Sequence, residues 1–294
     1  MGEVSRRTLL LAGGALTLAG CAKPPVSITR PTASPTGSVS AQLTEVLTTY
    51  AQNTDKLGGQ VLDLRSGRAW SFRGDYASQS ASMAKVMISA LALRTARAAG
   101  HELDFDRMTD VSRALVDSDN DSADRLWRYA GGAVDDTSAA TANRAADAYQ
   151  RLANELQMSS THRDAGRPDW SWTWTTPADQ VKLLDKLLHG TPALLDMDRL
   201  YLLDVMRKTN PTQIWGVGTM RGADVQVQMK NGWVQFGTGD YAGLWAVNSM
   251  GHVLGEGRDY LACFMCRTPT FETGKALLDA IGGDVYRVLG SGTV

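Results

Sequence analysis

Residues 105 to 205 hold one helix-forming segment after another, near 105–116, 121–129, 138–157, 177–189 and 195–207, with few strand runs among them. Strand-like runs stand on both sides. Gly58 to Asp63 and Ala69 to Phe72 flank an Arg65-Ser66-Gly67 turn and read as a hairpin. Val225 to Phe236, Leu244 to Val253 and Asp259 to Arg267 read as three further strands, with turns at Gly237-Thr238-Gly239-Asp240 and Gly255-Glu256-Gly257. Helices are expected over Ser40 to Thr54, from Ser80 to about Ala98 and over Thr270 to Leu289. The predicted fold is therefore an antiparallel sheet flanked by helices and interrupted by a helical subdomain. Residues 39–80 and 208–294 form the α/β part, and 81–207 the helical part.

Three short motifs fall at the joints of this layout: Ser82-Met83-Ala84-Lys85, Ser118-Asp119-Asn120 and Lys230-Asn231-Gly232. Ser82 stands near a helix N-terminus, where free N–H groups and the helix dipole favour developing negative charge. Lys85 is three residues on and shares its helix face. Ser118 opens another helix, and Lys230 lies on a strand after the helical insertion. A cleft between sheet and helical part would gather them. A serine hydroxyl is inert until an adjacent base activates it, and a lysine beside a second cation has a lowered pKa and can be that base. Asp119 reads as a loop holder through side-chain to backbone bonds.

With its motifs in this order the chain resembles the penicillin-recognising serine hydrolases, class A β-lactamases most of all. The likeness covers roughly residues 40 to 290. It includes the hairpin Gly59 to Trp70, the second motif with its flanks from Leu115 to Trp127, and Trp174-Thr175-Thr176-Pro177-Ala178 before Lys182-Leu183-Leu184. The resemblance implies a β-lactamase/transpeptidase-like fold and an acyl-serine mechanism on a β-lactam or a D-alanyl-type cell-wall acyl donor. It implies Ser82 as nucleophile and Lys85 as base or relay. Ser118 would pass a proton toward the leaving group and help hold a substrate carboxylate, Asn120 would donate to an acyl side chain, and Lys230 would set a positive potential. Asn231 and Gly232 would border the substrate, and the N–H groups of Ser82 and Trp233 would form the oxyanion hole. No cofactor and no metal ligand set is implied.

Three departures from that pattern stand out. Ser82 and Ser118 are only 36 positions apart, less than in most class A enzymes. Asn231 replaces the hydroxyl residue that usually binds the substrate carboxylate. The Glu-x-x-Leu-Asn loop motif is absent, and Arg163 to Trp174 holds only Asp164 and Asp169 as carboxylates. Arg221 and Arg267 are candidates for a substrate carboxylate. Trp170, Trp172 and Trp174 alternate and read first as packing of a shortened loop, with a ligand-stacking wall as the other reading. Cys263 and Cys266, on opposite faces of a strand, read as core thiols. The alternative function is a non-catalytic cell-envelope binding lipoprotein that keeps the fold.

The net charge of −1 and the lack of any like-charge block argue against a nucleic-acid partner. Ser5-Arg6-Arg7 and the apolar run Thr8 to Ala19 read as a twin-arginine-type export signal. Leu18-Ala19-Gly20-Cys21 resembles a bacterial lipobox, so Cys21 is the expected lipidated N-terminus, and residues 1–21 the signal. Residues 22–38, rich in Pro, Ser and Thr, read as a disordered tether. The expected protein is an exported monomer, lipid-anchored to the outer face of the cytoplasmic membrane, that acts on a small-molecule or peptidoglycan-type substrate.

Overall fold

The computed structural model describes residues 26–32, 36–164, 166–290 and 292–294. The expected signal and Cys21 lie outside the described residues. Within the stretch read as a tether, Ile28 packs against the hydrophobic core. The Thr29 N–H donates to Asn53 Oδ1 at 2.7 Å, and Asn53 Nδ2 donates back to the Thr29 carbonyl at 3.0 Å. This part of the segment is docked on the body.

Helix α1 (Val39–Tyr50) leads into a hairpin of β1 (Leu57–Asp63) and β2 (Arg68–Phe72). Ser38 caps α1 through its hydroxyl, and the helix stops four residues before the expected Thr54. Asn53 explains the stop, because its side chain donates to the Tyr50 carbonyl. A short strand β3 (Ser78–Gln79) and a 3-10 turn (Ala81–Met83) precede α2 (Ala84–Ala98). The helical part continues with α3 (Phe105–Val116), α4 (Asn120–Ala130) and α5 (Ala139–Glu155). After a 3-10 turn (Trp170–Trp172) come β4 (Trp174–Thr175), α6 (Pro177–His189) and α7 (Asp196–Arg207). The chain then returns to the sheet through β5 (Val225–Gln235), β6 (Trp245–Gly255) and β7 (Arg258–Thr268), and ends in α8 (Phe271–Gly290). Asp104, Asp119, Ser138 and Thr176 cap α3, α4, α5 and α6 by accepting a backbone N–H, the contact such residues are selected for at helix starts.

The five-stranded sheet has the order β2-β1-β7-β6-β5. Each neighbouring pair is antiparallel, with Val61 opposite Ala262 and Lys230 opposite Met250. The helical part therefore is an insertion between strands that close one sheet, and β5 is left at an edge facing it. Two cores lie on the two faces. One holds α2 and the helices around it, with Met250, Leu261, Cys263 and Met265 from the sheet. The other holds α1 and α8 against Val247, Val253, Ala262, Phe264 and Cys266. Cys263 and Cys266 thus enter different cores, as strand alternation requires, and burial raises both thiol pKa values.

Helix α2 departs from the amphipathic stripe expected of it. Every residue from Met83 to Leu93 is buried, so α2 is a central helix surrounded by others and by the sheet. A second, two-stranded sheet also escapes the sequence pattern. Strands β3 and β4 pair Ser78 with Thr175 and Gln79 with Trp174, too short a ladder to show a period. It matters for the site because it ties the segment before Ser82 to the end of the 157–173 loop. Ser80 N adds a bond to the Thr173 carbonyl at 2.8 Å. Buried Asp179 holds the loop's other end, accepting from Ser160 N and Thr161 Oγ1.

Candidate active site

Ser82 sits in the middle of the 3-10 turn, partly exposed, at the edge of a cleft of about 320 Å³. The preceding Ala81 has φ +46° and Ser118 has φ +59°. Left-handed backbone at a non-glycine residue costs on the order of 1–3 kcal/mol and persists only where surrounding structure imposes it. Both flanks of this cleft carry it. At Ser118 the constraint comes from Asp119, whose carboxylate caps α4 on Ser122 N at 2.8 Å, and from Lys85 gripping the Ser118 carbonyl.

Lys85 is fully buried and points across to the second motif. Its Nζ donates to the Ser118 carbonyl at 2.6 Å, to Asn120 Oδ1 at 2.6 Å and, at 3.4 Å, to Ser118 Oγ. Lys230 reaches the same hydroxyl from the edge strand, with Nζ to Ser118 Oγ at 2.8 Å and to the Asn231 carbonyl at 3.2 Å. Ser118 Oγ is thus shared by two amines. A hydroxyl has two lone pairs and one proton, so Ser118 accepts from both lysines and keeps its O–H to donate into the cleft. Among the described residues, Lys85 makes its hydrogen bonds to the second motif and none to Ser82.

Burial pushes the Lys85 ammonium down to about 8, against the opposing pull of the Asp119 and Asp124 carboxylates. Burial pushes Lys230 well down too, and the charge on Lys85 adds to it. From the sequence, a second cation is the expected cause of a lowered Lys85 pKa. The structure puts desolvation first, because the sheet edge and α2 remove water from both amines. Trp170 contributes to that cover, with its ring centroid 4.8 Å from Lys85 Nζ. Its indole N–H donates to Asp124 Oδ1 at 2.6 Å, which fixes the ring there.

The cleft is lined by Ala81 and Ser82, by Asp117, Ser118 and Asn120, by Trp170 and Ser171, and by Gln213, Trp233 and Val234. Asn120 is exposed, with its carbonyl oxygen toward Lys85 and its NH₂ left for the cleft. Trp233 lines the cleft opposite Ser82 from β5, its indole packed on Trp215 and Phe271. Gly232 brings this strand close. A Cβ there would stand 2.7 Å from the Ser80 carbonyl oxygen and 2.8 and 2.9 Å from the Met83 and Ser82 nitrogens. All three are backbone atoms that cannot swing away. Gly232→Ala is therefore expected to push β5 from the turn that carries Ser82, at about 1–3 kcal/mol for an overpacked site. Thermal unfolding and probe labelling should both show the loss.

Asn231, the third-motif residue expected to border the substrate, is placed against the main chain. It is 1 % exposed, its Nδ2 donates to the main-chain carbonyls of Gln213 and Trp215, and it lies off the cleft. Strand alternation turns it to the other face from Lys230. Its effect is to hold the 213–215 wall. Neither arginine reaches the cleft. Arg221 donates to the Thr209 carbonyl. Arg267 is buried among the rings of Tyr76, Trp174, Phe236 and Tyr241, and donates to the Ala77 carbonyl. Asp169 accepts from Ser171 N and Oγ and caps the 3-10 turn, while Asp164 accepts from Gly166 N. Neither carboxylate lines the cleft. Of the tryptophans, Trp170 does line it, Trp172 packs edge-on to Phe236, and Trp174 stacks on His162. Asp117 and Gln213 went unnoticed in the sequence. Asp117 could have been found as the residue leading into Ser118; Gln213 carries no local signal, being brought in by Asn231 and by its own bond to the Asp117 carbonyl.

A family model described as "Beta-lactamase enzyme family" matches residues 38–289. The chain belongs to the beta-lactamase enzyme family. Solved structures carry the same fold. A class A beta-lactamase representative from Bacteroides cellulosilyticus superposes with a TM-score of 0.69 at 19% identity, over 87% of this chain and 100% of that one. A beta lactamase from Xanthomonas campestris gives 0.67 at 18% identity, over 86% and 99%. The chromosome-encoded beta-lactamase of Vibrio parahaemolyticus gives 0.63 at 15% identity, over 85% and 98%. A search of curated protein sequences finds no match. The fold is thus the β-lactamase-like one, its antiparallel sheet carrying an inserted helical subdomain.

Proposed function

We propose that this family member is a serine hydrolase of the β-lactamase/D,D-peptidase type, acylated at Ser82 by a β-lactam or a D-alanyl-type acyl donor. The observation that carries this reading is the two-lysine grip on Ser118 beside Ser82 at the edge of one cleft. Lys85, in its neutral form, takes the Ser82 proton as the Oγ–carbon bond forms. The carbon–nitrogen bond then breaks, Ser118 gives its proton to the leaving nitrogen, and Lys85 returns a proton to Ser118 across their 3.4 Å contact. The net result is one proton passed from Ser82 to the leaving group, with Lys85 and Ser118 restored. The N–H groups of Ser82 and Trp233 hold the oxyanion, and Asn120 meets the acyl side chain. We further propose that the chain is exported, anchored through a lipidated Cys21 and active as a monomer. Loss of membrane association in Cys21→Ala tests the anchor.

A fluorescent penicillin should label the purified protein at one equivalent and lose the label on competition with unlabelled penicillin. An unlabelled protein at high probe concentration would favour a binder that only keeps the fold. The rate of labelling should follow the neutral form of Lys85. Below about 8 the amine is protonated and cannot accept a proton. The rate should therefore rise tenfold per pH unit at low pH and level off above about 8. Lys85→Arg, cationic throughout, should lose this rise together with the activity.

A further inference from the structure

Trp170 stands between two hollows. It lines the cleft that holds Ser82 and Ser118, and it lines a second hollow of about 140 Å³ walled in part by Asp124, Trp127, Arg128 and Asp169. Trp170 is only 6 % exposed, and the fully buried Lys85 amine lies over its ring. Three ties hold the ring in that place. The indole N–H donates to Asp124 Oδ1 at 2.6 Å. Asp124 stands one turn after Asn120 on α4, so one face of that helix bonds both the amine and the ring that covers it. The Trp170 carbonyl accepts from Thr173 N and Oγ1 at 3.2 and 2.9 Å, and the Thr173 carbonyl accepts from Ser80 N and Oγ at 2.8 and 3.0 Å. Ahead of the ring, the Trp127 indole N–H donates to the Pro168 carbonyl at 3.2 Å. The cover over Lys85 is thereby tied to the turn that carries Ser82.

A base must be neutral when the acyl donor arrives. Water around an amine stabilises the ammonium, and an indole face replaces only part of that hydration. The charged groups around this amine are Asp119 and Asp124 from α4 and Lys230 from β5. The Asp169 carboxylate of the loop is turned to Ser171. The two α4 carboxylates favour the ammonium, and the removal of water outweighs them. The ring's attraction for a cation works in the same direction as the carboxylates and is outweighed with them. We propose that Trp170, pinned by Asp124, is a positioning residue for acylation: its ring keeps the water of both hollows off the Lys85 amine and so holds that amine ready to take the Ser82 proton. The inference rests on Lys85 as the base proposed above.

The test is the rate of Ser82 labelling by a fluorescent penicillin, followed on both sides of a midpoint of about 8. Trp170→Ala joins the two hollows and readmits water, which favours the ammonium. Its midpoint should lie about one pH unit above the parent's, with labelling about tenfold slower below the midpoint and close to the parent's well above it. Trp170→Phe, which keeps a ring over the amine, should hold its midpoint near the parent's. Asp124 is exposed, so its variants leave the core intact. Asp124→Asn and Asp124→Ala both lose the charge, but only the amide keeps an acceptor for the indole, so Asp124→Ala should have the higher midpoint of the two. A ring that merely packs the loop would cost stability without moving the midpoint. A Trp170→Ala protein slowed equally at every pH, or Asp124 variants with one shared midpoint, would overturn the proposal and leave the Lys85 reading in place. If the parent's own labelling shows no rise with pH, the Lys85 reading falls and this inference with it.

Discussion

Ser82→Ala should remove the covalent adduct altogether, and Lys85→Ala should slow its formation nearly as far. The nucleophile and base of a serine hydrolase act as a unit, and removing either costs about 10⁶-fold in the case where it has been dissected. The structure makes the two losses distinguishable from misfolding. Ser82 is partly exposed and its hydroxyl makes no hydrogen bond among the described residues, so Ser82→Ala should unfold at the same temperature as the parent. Lys85 is fully buried and grips the Ser118 carbonyl and Asn120. Its removal leaves those acceptors unsatisfied, at about 1–3 kcal/mol. Lys85→Met keeps the packing and removes the amine, so a stable but unlabelled Lys85→Met protein would place the loss in chemistry. An adduct on Ser118, or one that persists in Ser82→Ala, would break the assignment.

The second large effect is on release. Once Ser82 is acylated, a water must be activated, and its general base has to lie within hydrogen-bond reach. The loop residues Asp164 and Asp169 are turned to local capping. Over Lys85 stands the apolar face of Trp170. Its indole offers no general base there. Absence of a positioned base costs about 10²–10⁴-fold, so stopped-flow mixing with a chromogenic β-lactam should show a burst of one equivalent and then a far slower steady state. Rapid multiple turnover would contradict this. Asp117, the carboxylate that does line the cleft, would then be the base to examine, with Asp117→Asn bringing back the burst and the slow steady state.

Much of this was legible because strand and helix periods are local. The helices at 105–116 and 177–189 stand where the sequence placed them, and the strands fall within a residue or two. The hairpin and the three late strands close one sheet, as the interruption by helical segments implied. What stayed hidden is what tertiary packing decides. The two-residue ladder of β3 and β4 has no period to read. The complete burial of α2 depends on neighbours on every side. Asn231 looked like a ligand for substrate because of its place in a motif, and the alternation of β5 turned it to the main chain of Gln213 and Trp215. Trp170 was read as packing, which is half the truth: it is buried, and what it packs on is the amine of Lys85. Asp117 and Gln213 became cleft residues only through hydrogen bonds between segments far apart in the chain.

The acyl-enzyme on Ser82 is expected to form readily and break slowly. Intact-mass spectrometry during incubation with a panel of β-lactams and D-alanyl-D-alanine esters, followed by peptide mapping, tests it most directly. One added acyl group is expected, on the peptide that carries Ser82, persisting long after free donor is removed. A protein whose mass never changes with any member of the panel, or an adduct mapped to another residue, would contradict it.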